Sequence, residues 1–138
     1  MTEVASPDRR VNIPEVLAEV TEIFERYETA LAAKDVDVLD ATFWDSPHTI
    51  RYAMHENGYG FDEIHAHRVR RPAGKSLKEE RLKLVITTIG TDFATTNLEF
   101  RMPNGRFGRQ SQTFVRFPDV GWKVVAAHVS TQDEAPVW

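Results

Sequence analysis

The second half of the chain constrains the fold most. Four runs rich in Val, Ile, Thr, Phe and Trp occupy 81–90, 92–102, 107–117 and 122–130, and turn residues separate them. Such residues fit a pleated, half-buried surface, so the half reads as an antiparallel meander. Pro103-Asn104-Gly105-Arg106 contains Asn-Gly, which predicts a tight hairpin with positive φ at both central residues. Pro118-Asp119-Val120-Gly121 is a second turn, in which Pro pre-sets φ and Gly takes the unusual dihedral. In the run 107–117, alternation puts Arg109, Ser111, Thr113 and Val115 on one face and Gln110, Gln112 and Phe114 on the other. Neither face is apolar throughout. A sheet with polar side chains on its buried side encloses a pocket instead of a solid core.

The first half supplies the cover. Residues 14–33 carry Val16, Leu17, Val20, Ile23, Phe24, Tyr27, Ala30 and Leu31 at helical spacing, with Glu15, Glu19, Glu22, Arg26 and Glu28 mostly off that stripe. Pro14 suits a first turn, where its missing N–H costs nothing, and Asn12 stands near the cap. Tyr27 lies on the buried stripe, so its hydroxyl needs a partner or a wet cavity. A second helix is expected over 35–43 with Asp35 as N-cap, broken at Asp45-Ser46-Pro47. A strand over 49–54 sets Thr49, Arg51 and Ala53 on one face. Arg51 there is either a solvent-facing edge residue or an anion-binding group in a cavity, with small flanks that leave it room. Residues 56–60 read as a turn, and 62–71 as a helix capped by Asp62 and ended by Pro72-Ala73-Gly74. Arg68, Arg70, Arg71, Lys75 and Lys78 form a local basic cluster. It is either a solvated helix end or a source of one cation, Arg68, for the same pocket as Arg51. The order helix, helix, strand, helix and four strands predicts an α+β roll, three helices on a curved, mostly antiparallel sheet around a small-molecule pocket. We expect a loose arm over 1–13, one domain over 14–132 and a tail over 133–138.

Several function classes are disfavoured. The net charge of −4 offers no basic field for nucleic acid. The chain has no cysteine, which removes disulfides, thiol nucleophiles and cysteine-built zinc sites. No apolar run is long enough for a membrane span, so no membrane partner and a cytoplasmic location are expected. His65 and His67 are two apart, which on a helix sends them to different sides, so no metal is expected. There is no phosphate-binding glycine loop and no nucleophile elbow around a serine. His48 and His128 remain as candidates, His128 sharing a strand face with Trp122, Val124, Ala126 and Ser130 by alternation. Glu99, beside Asn97 and Arg101 on one strand face, is either an acid–base group or an Arg partner.

The stretches 16–20, 43–52, 56–57, 59–60, 86–88, 92–95, 108–113 and 126–130 together resemble the AtzH-like family of the NTF2-like (SnoaL-like) superfamily, whose members are cone-shaped rolls. The resemblance spans about Val16 to Ser130. It implies a cofactor-independent decarboxylase, a lyase converting dicarboxyurea to allophanate and carbon dioxide in cyanuric-acid (s-triazine) or related ureide catabolism. The family's catalytic Tyr and Arg fall on Tyr27 and Arg51. In the site this implies, Arg68 or Arg109 is expected to hold the other carboxylate, with Gln110, His128 and His48 shaping the pocket. His67 and His55 depart from the expected pattern, and both are expected to line the pocket. The superfamily also suggests a homodimer or a tetramer assembled through the outer sheet face. Two alternatives stand beside the decarboxylase. One is another acid–base enzyme, an isomerase, hydratase or cyclase, using Glu99 or His128 as base. The other is a non-catalytic binding or dimerisation module.

Overall fold

The computed structural model describes residues 7–71 and 78–133. The elements run α1 (Pro14–Ala33), α2 (Val36–Thr42), β1 (Ile50–Tyr52), β2 (Asn57–Tyr59), α3 (Phe61–Arg70), β3 (Glu80–Ile89), β4 (Phe93–Arg101), β5 (Phe107–Phe117) and β6 (Gly121–Gln132). The six strands form one mixed sheet in the order β2-β1-β6-β5-β4-β3, in which only β1 and β6 pair in parallel. Three helices pack on it. No helix among the described residues is long and apolar enough to cross a membrane.

The long helix follows its pattern closely. Val16, Val20, Phe24, Tyr27 and Ala30 are the buried positions of α1, all on one stripe. Removing a side chain such as Phe24 or Val20 from water contributes about 1.5–3 kcal/mol each. Lys34 ends the helix in the left-handed region, and Asp35 then caps α2 by accepting from the Val38 N–H. Asn12 does not cap α1. Its side-chain oxygen accepts from the Thr88 N–H at 2.8 Å, and its own N–H donates to the Thr88 carbonyl at 3.0 Å. Val11 bridges to Ile89 beside it. The arm expected to be loose over 1–13 is therefore tied down at its end, where it covers part of the outer edge of β3. Residues 1–6, and the tail beyond Asp133, lie outside the described residues.

Four local expectations change. The stretch 56–60 is largely strand β2, because β1 turns back on itself and pairs Arg51 with Gly58. A side chain at Gly58 would meet Ile64 Cγ1 at 2.7 Å, so the hairpin lets α3 approach closely. Helix α3 starts at Phe61 behind Gly60, two residues earlier than a cap at Asp62 requires. The Asn104-Gly105 turn has only Gly105 at positive φ (84°), closed by the Gly105 N–H on the Met102 carbonyl. Asn104 instead accepts from the Arg106 N–H, so the loop is a type I-like turn followed by a left-handed glycine. Finally, β6 carries one extra residue: Phe114 pairs with Val124 but Thr113 with Ala126. A one-residue bulge moves every later side chain to the other face.

Two apolar clusters result. One joins Val16, Val20, Tyr27, Leu39, Phe43, Ile64, Phe114 and Val124 between the helices and one end of the sheet. The other holds Phe24, Leu98, Phe100 and Met102, with Met54 and Val129 against it.

Candidate active site

A cavity of about 620 Å³ opens beside the second cluster, with Met54, Phe100, Met102 and Val129 among its apolar lining. Its polar wall is Glu28 from α1, Arg51 from β1, Glu56 from the β1–β2 turn, Arg71 after α3, Lys78 before β3 and Gln110 from β5. Lys34, His55 and Arg106 also reach it. Alternation from buried Thr49 brings Arg51 to the inner face, where it is 5% exposed. Likewise Gly108, Gln110 and Gln112 form the inner face of β5.

The wall has two polar stations. At the first, Glu56 Oε1 accepts from Arg51 Nη1 at 3.1 Å and from Arg71 Nη2 at 2.8 Å. His67 Nδ1 stands 3.7 Å from Glu56 Oε2. Burial disfavours the charged carboxyl, but the Arg51 hydrogen bond and the charges of Arg71, Arg51 and His67 together outweigh it and hold Glu56 below the usual carboxylate range. At the second, Glu28 accepts from Lys78 Nζ and from Gln110 Nε2, each at 2.7 Å. Because an ionised carboxylate only accepts, this contact fixes which end of the Gln110 amide faces Glu28. A buried Gln112 turns to Thr96 instead, at 3.1 Å.

Of the residues singled out from sequence, Arg51 and Gln110 meet on this wall. His55 lines it too, whereas His67 is not part of the lining and contacts Glu56, Glu63, Arg70 and, through Nε2, the Asn57 carbonyl. Tyr27 is 3% exposed and sits in the core with its ring stacked on Phe43, centroids 5.8 Å apart; it is not part of the wall. The wall takes its neighbour Glu28 instead.

Four expected pocket residues are elsewhere. Arg68 shares the buried face of α3 with Ile64, one turn away, and that face meets the other helices. Its Nη1 donates to Asp40 Oδ1 at 2.8 Å and its guanidinium lies 4.2 Å from the Phe43 ring centre. Its Nη2 is buried with no hydrogen-bond partner among the described residues. Arg109 alternates with buried Gly108 and Gln110, so it is exposed on the outer face opposite Glu99 and Ser130. His128 lies past the β6 bulge and is turned outward, edge-on to Tyr52 at 5.6 Å. His48 is exposed beside Trp44, ring centres 6.3 Å apart. Glu99 also faces outward, between buried Leu98 and Phe100. Neither base of the alternative acid–base reading therefore reaches the cavity.

The basic cluster disperses in the same way. Arg71 and Lys78 serve the wall, Arg70 contacts His67, and Lys75 lies outside the described residues. His65 pairs with Asp40 at 2.5 Å, apart from His67. Sequence reasoning missed Glu28 and Glu56 as site residues. Glu28 did carry a signal, since it follows Tyr27 at the margin of the apolar stripe; Glu56 carried none, because its place depends on the hairpin.

Comparison with known proteins agrees with this architecture. No curated protein matches the chain. A protein of unknown function from the DUF3225 family of Pectobacterium atrosepticum SCRI1043 is 46% identical, with a TM-score of 0.81 over 88% of this chain and 94% of that one. A cystatin-like fold protein of Burkholderia xenovorans LB400 is 40% identical, with a TM-score of 0.86 over 92% of this chain and 99% of that one. An NTF2-like protein of unknown function from Pseudomonas putida KT2440, 19% identical with a TM-score of 0.70 over 82% of this chain and 84% of that one, shares the fold. A family profile described as AtzH-like matches residues 9–135, and the chain belongs to that AtzH-like family, on an NTF2-like fold.

Proposed function

We propose that the cavity removes carbon dioxide from a small N-carboxylated urea, converting dicarboxyurea to allophanate without a cofactor. The observation that carries this reading is Arg51, a guanidinium 5% exposed yet on the wall of a small-molecule cavity. Its surroundings support an anionic substrate: among the described residues of the lining, Lys34, Arg51, Arg71, Lys78 and Arg106 face two carboxylates, Glu28 and Glu56. A guanidinium grips a carboxylate with two parallel hydrogen bonds, which orients it as well as binding it. The second station, with Lys78 and Gln110, suits the substrate's other carboxylate and its urea N–H groups.

In the reaction the bond between the carboxylate carbon and nitrogen breaks. Its electron pair stays on nitrogen, which takes a proton, and the carbon leaves as carbon dioxide. Arg51 would orient the departing carboxylate. Family resemblance assigns the proton to Tyr27. A second reading gives the proton to the Lys78–Glu28 pair, whose ammonium can donate, and is favoured by the pair's presence on the wall where Tyr27 is absent. A well-placed donor contributes about 10²–10⁴-fold. We also infer a homodimer through the outer sheet face, where Val85, Phe93 and Tyr59 are exposed.

The test is carbon dioxide release from freshly generated dicarboxyurea by wild type, Arg51→Met, Tyr27→Phe and Glu28→Gln, each first checked for folding. Release by wild type that is lost in Arg51→Met supports the reading. Wild-type release at the uncatalysed rate rejects it.

A further inference from the structure

The first station contains a carboxylate of its own. Glu56 sits between two guanidiniums that come from different elements, Arg51 on β1 and Arg71 beyond α3, and both donate to the same oxygen. All three side chains line the cavity. We propose that Glu56 is a built-in competitor for the ligand's carboxylate, holding the two arginines together while setting a threshold of affinity that only a ligand with a second anionic group passes. This rests on the reading above only in taking the ligand to be a carboxylate; it does not require decarboxylation.

Charge arithmetic supports the assignment. Two guanidiniums and one glutamate leave a single net positive charge, enough to attract one carboxylate and bring the station to neutrality. The two carboxylates then share the same donors and repel one another. At the effective dielectric of a half-buried site, two unit charges about 4 Å apart interact strongly enough to change an affinity tenfold or more. A monocarboxylate has nothing to offset that repulsion. A small dicarboxylate does, because the rest of the described lining carries Lys34, Lys78 and Arg106 against one carboxylate, Glu28, which already accepts from Lys78 and Gln110. Glu56 also has a structural hold: its carbonyl accepts from the Ala53 N–H at 2.9 Å, which keeps the turn in place whatever its side chain does. The geometry therefore separates bracing the turn, a backbone task, from opposing an anion, a side-chain task.

The experiment is calorimetric titration with malonate and with acetate at pH 7, using wild type, Glu56→Gln and Arg51→Met, with Glu56→Ala as the second variant and a thermal melt on each. Glu56→Gln keeps the shape and loses the charge. The expected result is malonate binding at least about tenfold tighter in Glu56→Gln than in wild type, and acetate binding detected only in the Glu56 variants. Unchanged or weaker malonate binding in both folded Glu56 variants overturns the proposal, and leaves the carboxylate cavity standing if wild type binds malonate and Arg51→Met does not. Failure of wild type and both Glu56 variants to bind malonate overturns the carboxylate site and this proposal together.

Discussion

Arg51 and Arg68 are buried almost equally, at 5% and 3% exposure, and each is paired with a carboxylate. Their surroundings differ. Arg51 and its partner Glu56 border a cavity, whereas Arg68 and Asp40 are closed in among the helices with Phe43 beneath the guanidinium. A buried charge is thus no mark of function by itself. What distinguishes Arg51 is that it borders a cavity. Arg68 fastens α3 to α2 and contributes an aromatic contact besides its ion pair.

That contrast can be broken by substitution. Arg68→Ala should cause the largest loss of stability, about 2–3 kcal/mol in urea denaturation, because it leaves Asp40 with His65 alone and removes the cover from Phe43. Decarboxylation by the protein that remains folded should be unchanged. Arg51→Met should reverse the pattern, with a modest change in stability and a loss of turnover of at least about 10²-fold. If both variants lose stability and keep activity, Arg51 is structural as well.

The proton donor sharpens the same comparison between core and wall. Tyr27 belongs to the helix core and Glu28 to the cavity. If Tyr27 donates, Tyr27→Phe should lower turnover about 10²-fold while Glu28→Gln changes mainly KM. The opposite ranking in steady-state kinetics assigns the proton to the Lys78–Glu28 pair.

Smaller effects concern pH and the outer face. Glu56 is held below its unfolded-state range, so it contributes stability that is fully present above the unfolded pKa of about 4.5 and lost as pH falls through the folded value. Melting temperatures measured from pH 6 to pH 3 should therefore fall less steeply in Glu56→Gln than in wild type. Arg109→Ala and His128→Ala lie on the outer face and should change turnover less than about twofold, since solvent-facing substitutions stay within about ±0.5 kcal/mol. A large loss in either would show that the outer face takes part through a second copy of the chain.

Much of this molecule follows from short-range pattern. The 3.6-residue stripe of α1, the Asp35 cap and the alternation of β1 and β5 each depend on neighbours a few positions away. They determine the helices, the meander and which residues share a strand face with Arg51 and with Gln110; which face points inward they leave open. Tertiary structure decided the rest. Alternation carried past Val125 puts His128 beside Trp122, but one extra residue in β6 reverses every facing beyond it, and nothing in the local sequence announces a bulge. The cations of the basic cluster look alike in sequence. Only the packing of α3 sends Arg68 to Asp40 and leaves Arg71 for the cavity. Glu28 and Glu56 are 28 positions apart, and each was an ordinary surface acid until α1 and the β1–β2 hairpin set both on one wall. Secondary structure is written in nearest neighbours; a site is made of residues whose separation along the chain carries no information about their separation in space.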